Sequence, residues 1–184
     1  AAGVTTFLHK PLSPEMIAVA EKSLLTNLML PEGRRYKPNS SVSRYDLAAA
    51  FVRSGLVPQY LAASRLYSDT RDIETRSAVE SVQLDPDGKL FYDVALGGNF
   101  FPNSSATRLV AGVAFVKAAH LDGLASTAVL PSGISDINSI PAQWRGYIAV
   151  ALERGFISLH GNSINPSRSV TRLELAMALN ALTR

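Results

Sequence analysis

The chain has 184 residues, 47% of them hydrophobic, and carries 18 Lys and Arg against 15 Asp and Glu, a formal net charge of +3. That much apolar material is enough for a sizeable core and excludes a disordered chain. The basic residues are scattered rather than gathered into a patch, so nucleic acid is not expected as a partner, and no apolar run approaches the roughly 20 residues of a membrane span. Cysteine is absent, which removes disulfides and thiolate metal sites.

In chain order, the start Ala1-Ala2-Gly3, without Met, reads as a trimmed or excised piece of something longer. Ser13 as N-cap and Pro14 in the first turn open an amphipathic helix with Met16, Val19, Ala20 and Leu24 as its apolar stripe. Pro31-Glu32-Gly33 has turn chemistry. Residues 36–44, Tyr-Lys-Pro-Asn-Ser-Ser-Val-Ser-Arg, then read as an extended aromatic, a Pro-Asn turn, and Ser43 capping a helix that starts at Arg44. That helix is apolar nearly all round (Leu47, Ala48, Ala50, Phe51, Val52), which predicts burial on most sides.

After a connection over 54–68, residues 73–82 give a weaker amphipathic helix, and Pro86-Asp87-Gly88 and Gly97-Gly98 give turns. Residues 100–108, Phe-Phe-Pro-Asn-Ser-Ser-Ala-Thr-Arg, repeat the earlier pattern, with Thr107 as cap and Leu109, Val113, Ala114, Phe115 and Val116 in the helix that follows. A second connection runs over 117–135; both connections have room for short helices. Pro141 opens the clearest amphipathic helix, with Trp144, Tyr147, Ile148, Ala151 and Leu152 on one face and Gly155 as its stop. His160-Gly161-Asn162 turns into residues 164–172, Ile-Asn-Pro-Ser-Arg-Ser-Val-Thr-Arg, and a last apolar helix.

The three nine-residue segments align without a gap. Their prolines, at 38, 102 and 166, and their arginines, at 44, 108 and 172, recur at the same interval (166 − 102 = 102 − 38 = 64). The capping box is graded: Thr171 with Glu174 is complete, Ser43 has only the shorter Asp46, and Thr107 faces Val110, which cannot reciprocate. The expected fold is all-α: three helix-loop-helix repeats in one domain, at approximately 1–62, 63–126 and 127–184. The apolar motif helices form a central three-helix bundle, and very short β-pairings lie in the loops.

The pattern resembles the S-layer homology repeat: an Asp near the start, a Trp-bearing helix, a Gly after it, an aromatic-x-Pro turn and a Thr-Arg-Ala-Glu helix start. The third repeat matches best, with Ser135-Asp136, Trp144, Gly155, Asn165-Pro166 and Thr171-Arg172-Leu173-Glu174 in order. The second offers Tyr67-Ser68-Asp69, Phe100-Phe101-Pro102 and Thr107-Arg108, without the Trp and the acid; the first keeps only its back half, from Tyr36 to Asp46. The resemblance implies a pseudo-threefold spindle with ligand grooves between repeats. It also implies a secreted, non-catalytic module at the cell surface or cell wall. Its partner would be a cell-wall polysaccharide or other peptidoglycan-linked polymer, anionic and pyruvylated in many members. The second half is also similar to the C-terminal tails of some secreted subtilisin-like proteases. The alternative is therefore an accessory domain of a larger enzyme, beside an upstream domain of the same polypeptide, with ligand binding lost.

Arg44, Arg108 and Arg172 stand at helix N-termini, where a guanidinium offers a bidentate fork to a carboxylate; bracing of the helix against the preceding loop is the competing role. With Asp69, Asp136, Trp144 and Glu174 they make up the candidate ligand-binding set. Trp144 has apolar partners along its helix, so core packing competes with stacking on a sugar, and Asp69 and Asp136 are equally suited to capping. His9, His120 and His160 are too far apart for a metal site. No Gly-x-Ser-x-Gly, His-Glu-x-x-His or phosphate loop occurs, so neither an enzyme nor a cofactor is expected.

Overall fold

The computed structural model describes residues 6–7, 10–31, 33, 35–86 and 88–184. Ala1-Ala2-Gly3, His9, Glu32 and Asp87, which entered the sequence reading, lie outside the described residues. Two two-residue strands, β1 (Thr6–Phe7) and β2 (Lys10–Pro11), pair antiparallel. The remaining regular structure is helical: α1 (Pro14–Leu25), α2 (Arg44–Arg53), α3 (Ile73–Gln83), α4 (Arg108–Ala118), α5 (Asp122–Ala125), a single 3-10 turn (Ile137–Ser139), α6 (Ala142–Glu153) and α7 (Arg172–Leu182). Among the described residues no helix is long and apolar enough to cross a membrane.

The helix starts follow from side-chain oxygens that take the orphan amides of the first turn. Ser13, Ser43, Thr107 and Thr171 each accept from the amide three residues on, and only α7 has the full box, with Glu174 reaching back to the Thr171 amide. Asp72, not Asp69, caps α3, accepting from Thr75. The short helix foreseen in the second connection is α5; over 54–68 there is none. That first connection is pinned by Glu80, a fully buried carboxylate on α3. Its oxygens accept from the amides of Ala62 (2.8 Å) and Leu66 (3.1 Å) and from Arg76 Nε (2.8 Å).

Packing runs between repeats. α2 lies on α3, α4 on α6, and α7 returns to α1, so each motif helix holds the first helix of the next repeat and the last holds the first. The motif helices share one apolar core, in which Phe51 and Phe115 meet edge to face at 5.8 Å. Phe51 and Phe115 bring α2 and α4 together through side chains, whereas the more extensive helix-to-helix contacts are those of the pairs α2 with α3, α4 with α6 and α7 with α1. α5 and α6 touch at Gly146, where a Cβ would fall 1.9 Å from the Ala125 carbonyl oxygen. Truncating Phe115, 1% exposed, is expected to cost about 3–5 kcal/mol.

The pairings between motifs were not foreseen. Isolated antiparallel bridges join Ser41 to Thr171, Ser43 to Ser105 and Thr107 to Ser169. At their centre the Val42 amide donates to the Val170 carbonyl (2.8 Å), Val170 to Ala106 (2.9 Å), and Ala106 to Val42 (2.9 Å), so three backbone bonds close a ring. The loop pairing expected near Gly161 is present as a bridge between His160 and Ser163.

Candidate functional site

Each motif turn holds its residue before proline at positive φ: Lys37 at 50°, Phe101 at 60° and Asn165 at 53°. The left-handed region is unusual for Lys and Phe, though asparagine enters it more readily, and the turns have outside support. In the second and third repeats that support is an aspartate. Asp69 takes the amides of Phe100 (2.9 Å) and Phe101 (2.7 Å), one on each oxygen, and Asp136 takes those of Ile164 (2.9 Å) and Asn165 (2.7 Å). Both acids are therefore turn clamps.

The turns deliver the three arginines to equivalent places, and all three are buried, at 5%, 1% and 6% exposure for Arg44, Arg108 and Arg172. Each Nε donates to a carbonyl of a neighbouring repeat: Arg44 to Phe100 (2.8 Å), Arg108 to Ile164 (2.6 Å), Arg172 to Tyr36 (2.8 Å). The fork then finds different partners. Arg44 makes a bidentate pair with Asp93, at 2.8 and 3.0 Å, and lies over the rings of Phe91 and Phe100. Arg108 donates to the Glu174 carboxylate and the Ser158 carbonyl. Arg172 donates to the Leu30 carbonyl and lies 5.2 Å from the centre of the Tyr36 ring. Burial pulls the Arg108 pKa down and Glu174 opposes it; a guanidinium remains charged regardless.

Glu174 is a hub. One oxygen accepts from the Thr171 amide, and the other accepts from Arg108 and lies 3.6 Å from His160 Nε2. His160 Nδ1 is in turn 3.0 Å from Arg168 Nη1 and 3.4 Å from Asn165 Nδ2. Burial, and after it Arg108, lowers the His160 pKa from its ordinary value, with Glu174 acting in the opposite sense.

Trp144 is half-buried. Tyr92 of the preceding repeat covers it at 4.1 Å and 32°, and Tyr147 meets it edge-on at 5.3 Å. The Tyr147 hydroxyl donates to Asp122, and burial together with that bond pushes its pKa up to about 12. The candidate residues are thus spread over several junctions: Arg108, Asp136 and Glu174 gather at one, Arg44 and Asp69 at a second, Arg172 at a third. Asp93 was missed because it lies outside the repeating motif. A cleft of about 150 Å³ opens at the Arg172 junction, between the loop after α1, α2 and α7, lined by Leu30, Pro31, Asp46, Arg53 and Arg172 among others.

Asp136, the half-buried tryptophan, the turn at Asn165-Pro166 and the boxed helix start follow one another along the C-terminal part of the chain. Residues 133–176 match the S-layer homology domain. The S-layer homology match includes Asp136, Trp144, Arg172 and Glu174 of the candidate set. No curated protein matches the chain. Among solved structures, the undecaheme cytochrome from the S-layer of Carboxydothermus ferrireducens is 12% identical with a TM-score of 0.46; the similarity covers 95% of this chain and 22% of that one. A likeness at that level carries no argument about function.

Proposed function

We propose that the whole chain is a non-catalytic anchoring module of three S-layer-homology-type repeats in one domain, arranged about a pseudo-threefold axis. It holds an extracellular protein at the cell surface by binding an anionic cell-wall polysaccharide. The observation that carries this is the family match over residues 133–176. The same hydrogen bonds recurring at the other two motifs support extending it to the rest of the chain. Arg172, with the exposed Arg53 beside it in the cleft, is assigned to the carboxylates of the polymer, pyruvyl ketals among them. Arg44, Arg108, Asp69, Asp136, Trp144 and Glu174 shape the inter-repeat grooves by holding turns and helices in register.

Co-sedimentation with isolated wall polymer bearing acidic sugars tests this. Binding should weaken as salt rises. Arg53→Ala should fold normally and bind poorly, and Arg172→Lys, which keeps the charge but loses the planar fork, should also bind poorly. A folded chain that ignores every acidic wall polymer would sink the anchoring function. It would favour the second reading, an accessory domain of a larger secreted enzyme. The observation on that side is the burial of all three motif arginines against groups of the chain itself.

A further inference from the structure

Beside the Arg108 junction lie a histidine and an exposed arginine, His160 and Arg168, that the anchoring function does not use. We propose that His160 is an acid-released latch: neutral, it holds the Arg168 side chain against the 160–168 turn; protonated, it lets Arg168 go. A guanidinium has donors and no acceptor, so Arg168 Nη1, 3.0 Å from His160 Nδ1, must donate to it. Nδ1 therefore carries a lone pair, and the proton of the neutral ring sits on Nε2, facing the Glu174 oxygen 3.6 Å away. Asn165 Nδ2 approaches the same lone pair at 3.4 Å, so both side chains on Nδ1 are donors. Protonation converts that acceptor into a donor: Asn165 can answer by turning its amide to present Oδ1, whereas Arg168 has no acceptor to offer, so its contact is lost.

Charge acts in the same direction. The groups facing the ring are Arg108 from α4, Arg168 and Asn165 from the motif turn, and Glu174 from α7, with Asp136 acting on Arg108 from behind the turn. An imidazolium is repelled by two guanidinium groups and attracted by one carboxylate already bonded to Arg108. The response is Arg168 leaving, because its side chain contact is exposed, whereas Arg108 is 1% exposed and fixed by three different acceptors. The backbone at His160 is held by its paired bonds with Ser163 (2.9 and 3.2 Å), and the charged ring keeps the Glu174 carboxylate 3.6 Å from Nε2, so Arg168 is the group that swings out. Acid thus places one more free cation on this surface, whether or not the chain binds a polymer.

The test is an NMR titration of the full chain, following the His160 ring and the Arg168 side chain. The expected result is loss of ring-to-Arg168 contacts at the same midpoint as ring protonation, with the contacts from Ser163 retained. His160→Gln keeps a neutral acceptor and should keep Arg168 docked, or leave it free, without any change between neutral and acid pH. Arg168→Gln removes one cation and should raise the His160 midpoint. Contacts to Arg168 that persist through the midpoint would overturn the latch. So would acid release of Arg168 in His160→Gln, or an unchanged midpoint in Arg168→Gln.

Discussion

Arg44 and Arg108 occupy the same place in successive motifs, yet each is neutralised by a carboxylate from a different part of the chain. Glu174, the third residue of α7, serves Arg108 while also closing the cap of its own helix. By the repeat register, Val110 on α4 stands where the matching acid for Arg44 would be, and a buried valine cannot serve. Asp93, from the loop after α3, fills the vacancy with a bidentate pair. A degraded motif in one repeat therefore does not mean an uncompensated arginine, because the requirement falls on the buried charge and not on the motif position.

The two junctions can be separated by substitution. Replacing Arg108 by Met removes a guanidinium that is 1% exposed and strands Glu174 and two carbonyls; chemical denaturation should show a loss of about 3–5 kcal/mol. Arg44→Met should cost less, since it leaves one carbonyl rather than two without a donor and Asp93, at 31% exposure against 23% for Glu174, regains water somewhat more readily. Equal losses would mean that the two junctions are energetically the same. Next in size, Glu174→Gln should cost about 1–3 kcal/mol by weakening the pair with Arg108 and the cap together, with Asp93→Asn below it.

A double-mutant cycle sharpens the point about position. Val110→Glu alone should destabilise, because it buries a carboxylate beside an arginine already paired. Combined with Asp93→Ala it should be less harmful than the sum of the two, with a coupling of about 1 kcal/mol. Strict additivity would show that position 110 does not face Arg44. The smallest effect is on pH dependence. The folded-state pKa of His160 lies below its ordinary 6.5, so between those two values the folded chain holds fewer protons than the unfolded one. The contribution is present above about 6.5 and is lost as pH falls through the lowered value. Thermal unfolding followed across that window should lose this slope in His160→Gln, and the Arg44 junction, which has no histidine among its partners, should not contribute to it.

Helices were legible wherever a cap and an apolar period coincided. Ser13-Pro14, Ser43, Thr107 and Thr171 place helix starts by local chemistry alone, and the positions of α1, α2, α4 and α7 follow. Asp72 was less visible because Asp69, three residues earlier, looks equally suited to capping; only the fold shows it committed to the amides of Phe100 and Phe101. The motif arginines could be read as ligand-binding or bracing with equal ease, since both need a cation at a helix start, and burial was what the sequence did not carry. Asp93 and Glu80 were invisible for a related reason: a lone acid outside a motif has no partner until distant segments meet.

The ring of amide bonds through Val42, Ala106 and Val170 has a consequence for how the chain can be divided. In a linear repeat array the end units fray and shortened arrays still fold, because each unit meets only its neighbours. Here the third motif bonds back to the first, and α7 rests on α1. Removing any one repeat breaks the ring at two places and leaves a buried amide and a buried carbonyl without partners. A two-repeat fragment should therefore be unfolded or should recruit the missing strand-like segment from another copy. The chain is expected to melt in a single transition, with α1 and α7 as cooperative as the helices between them.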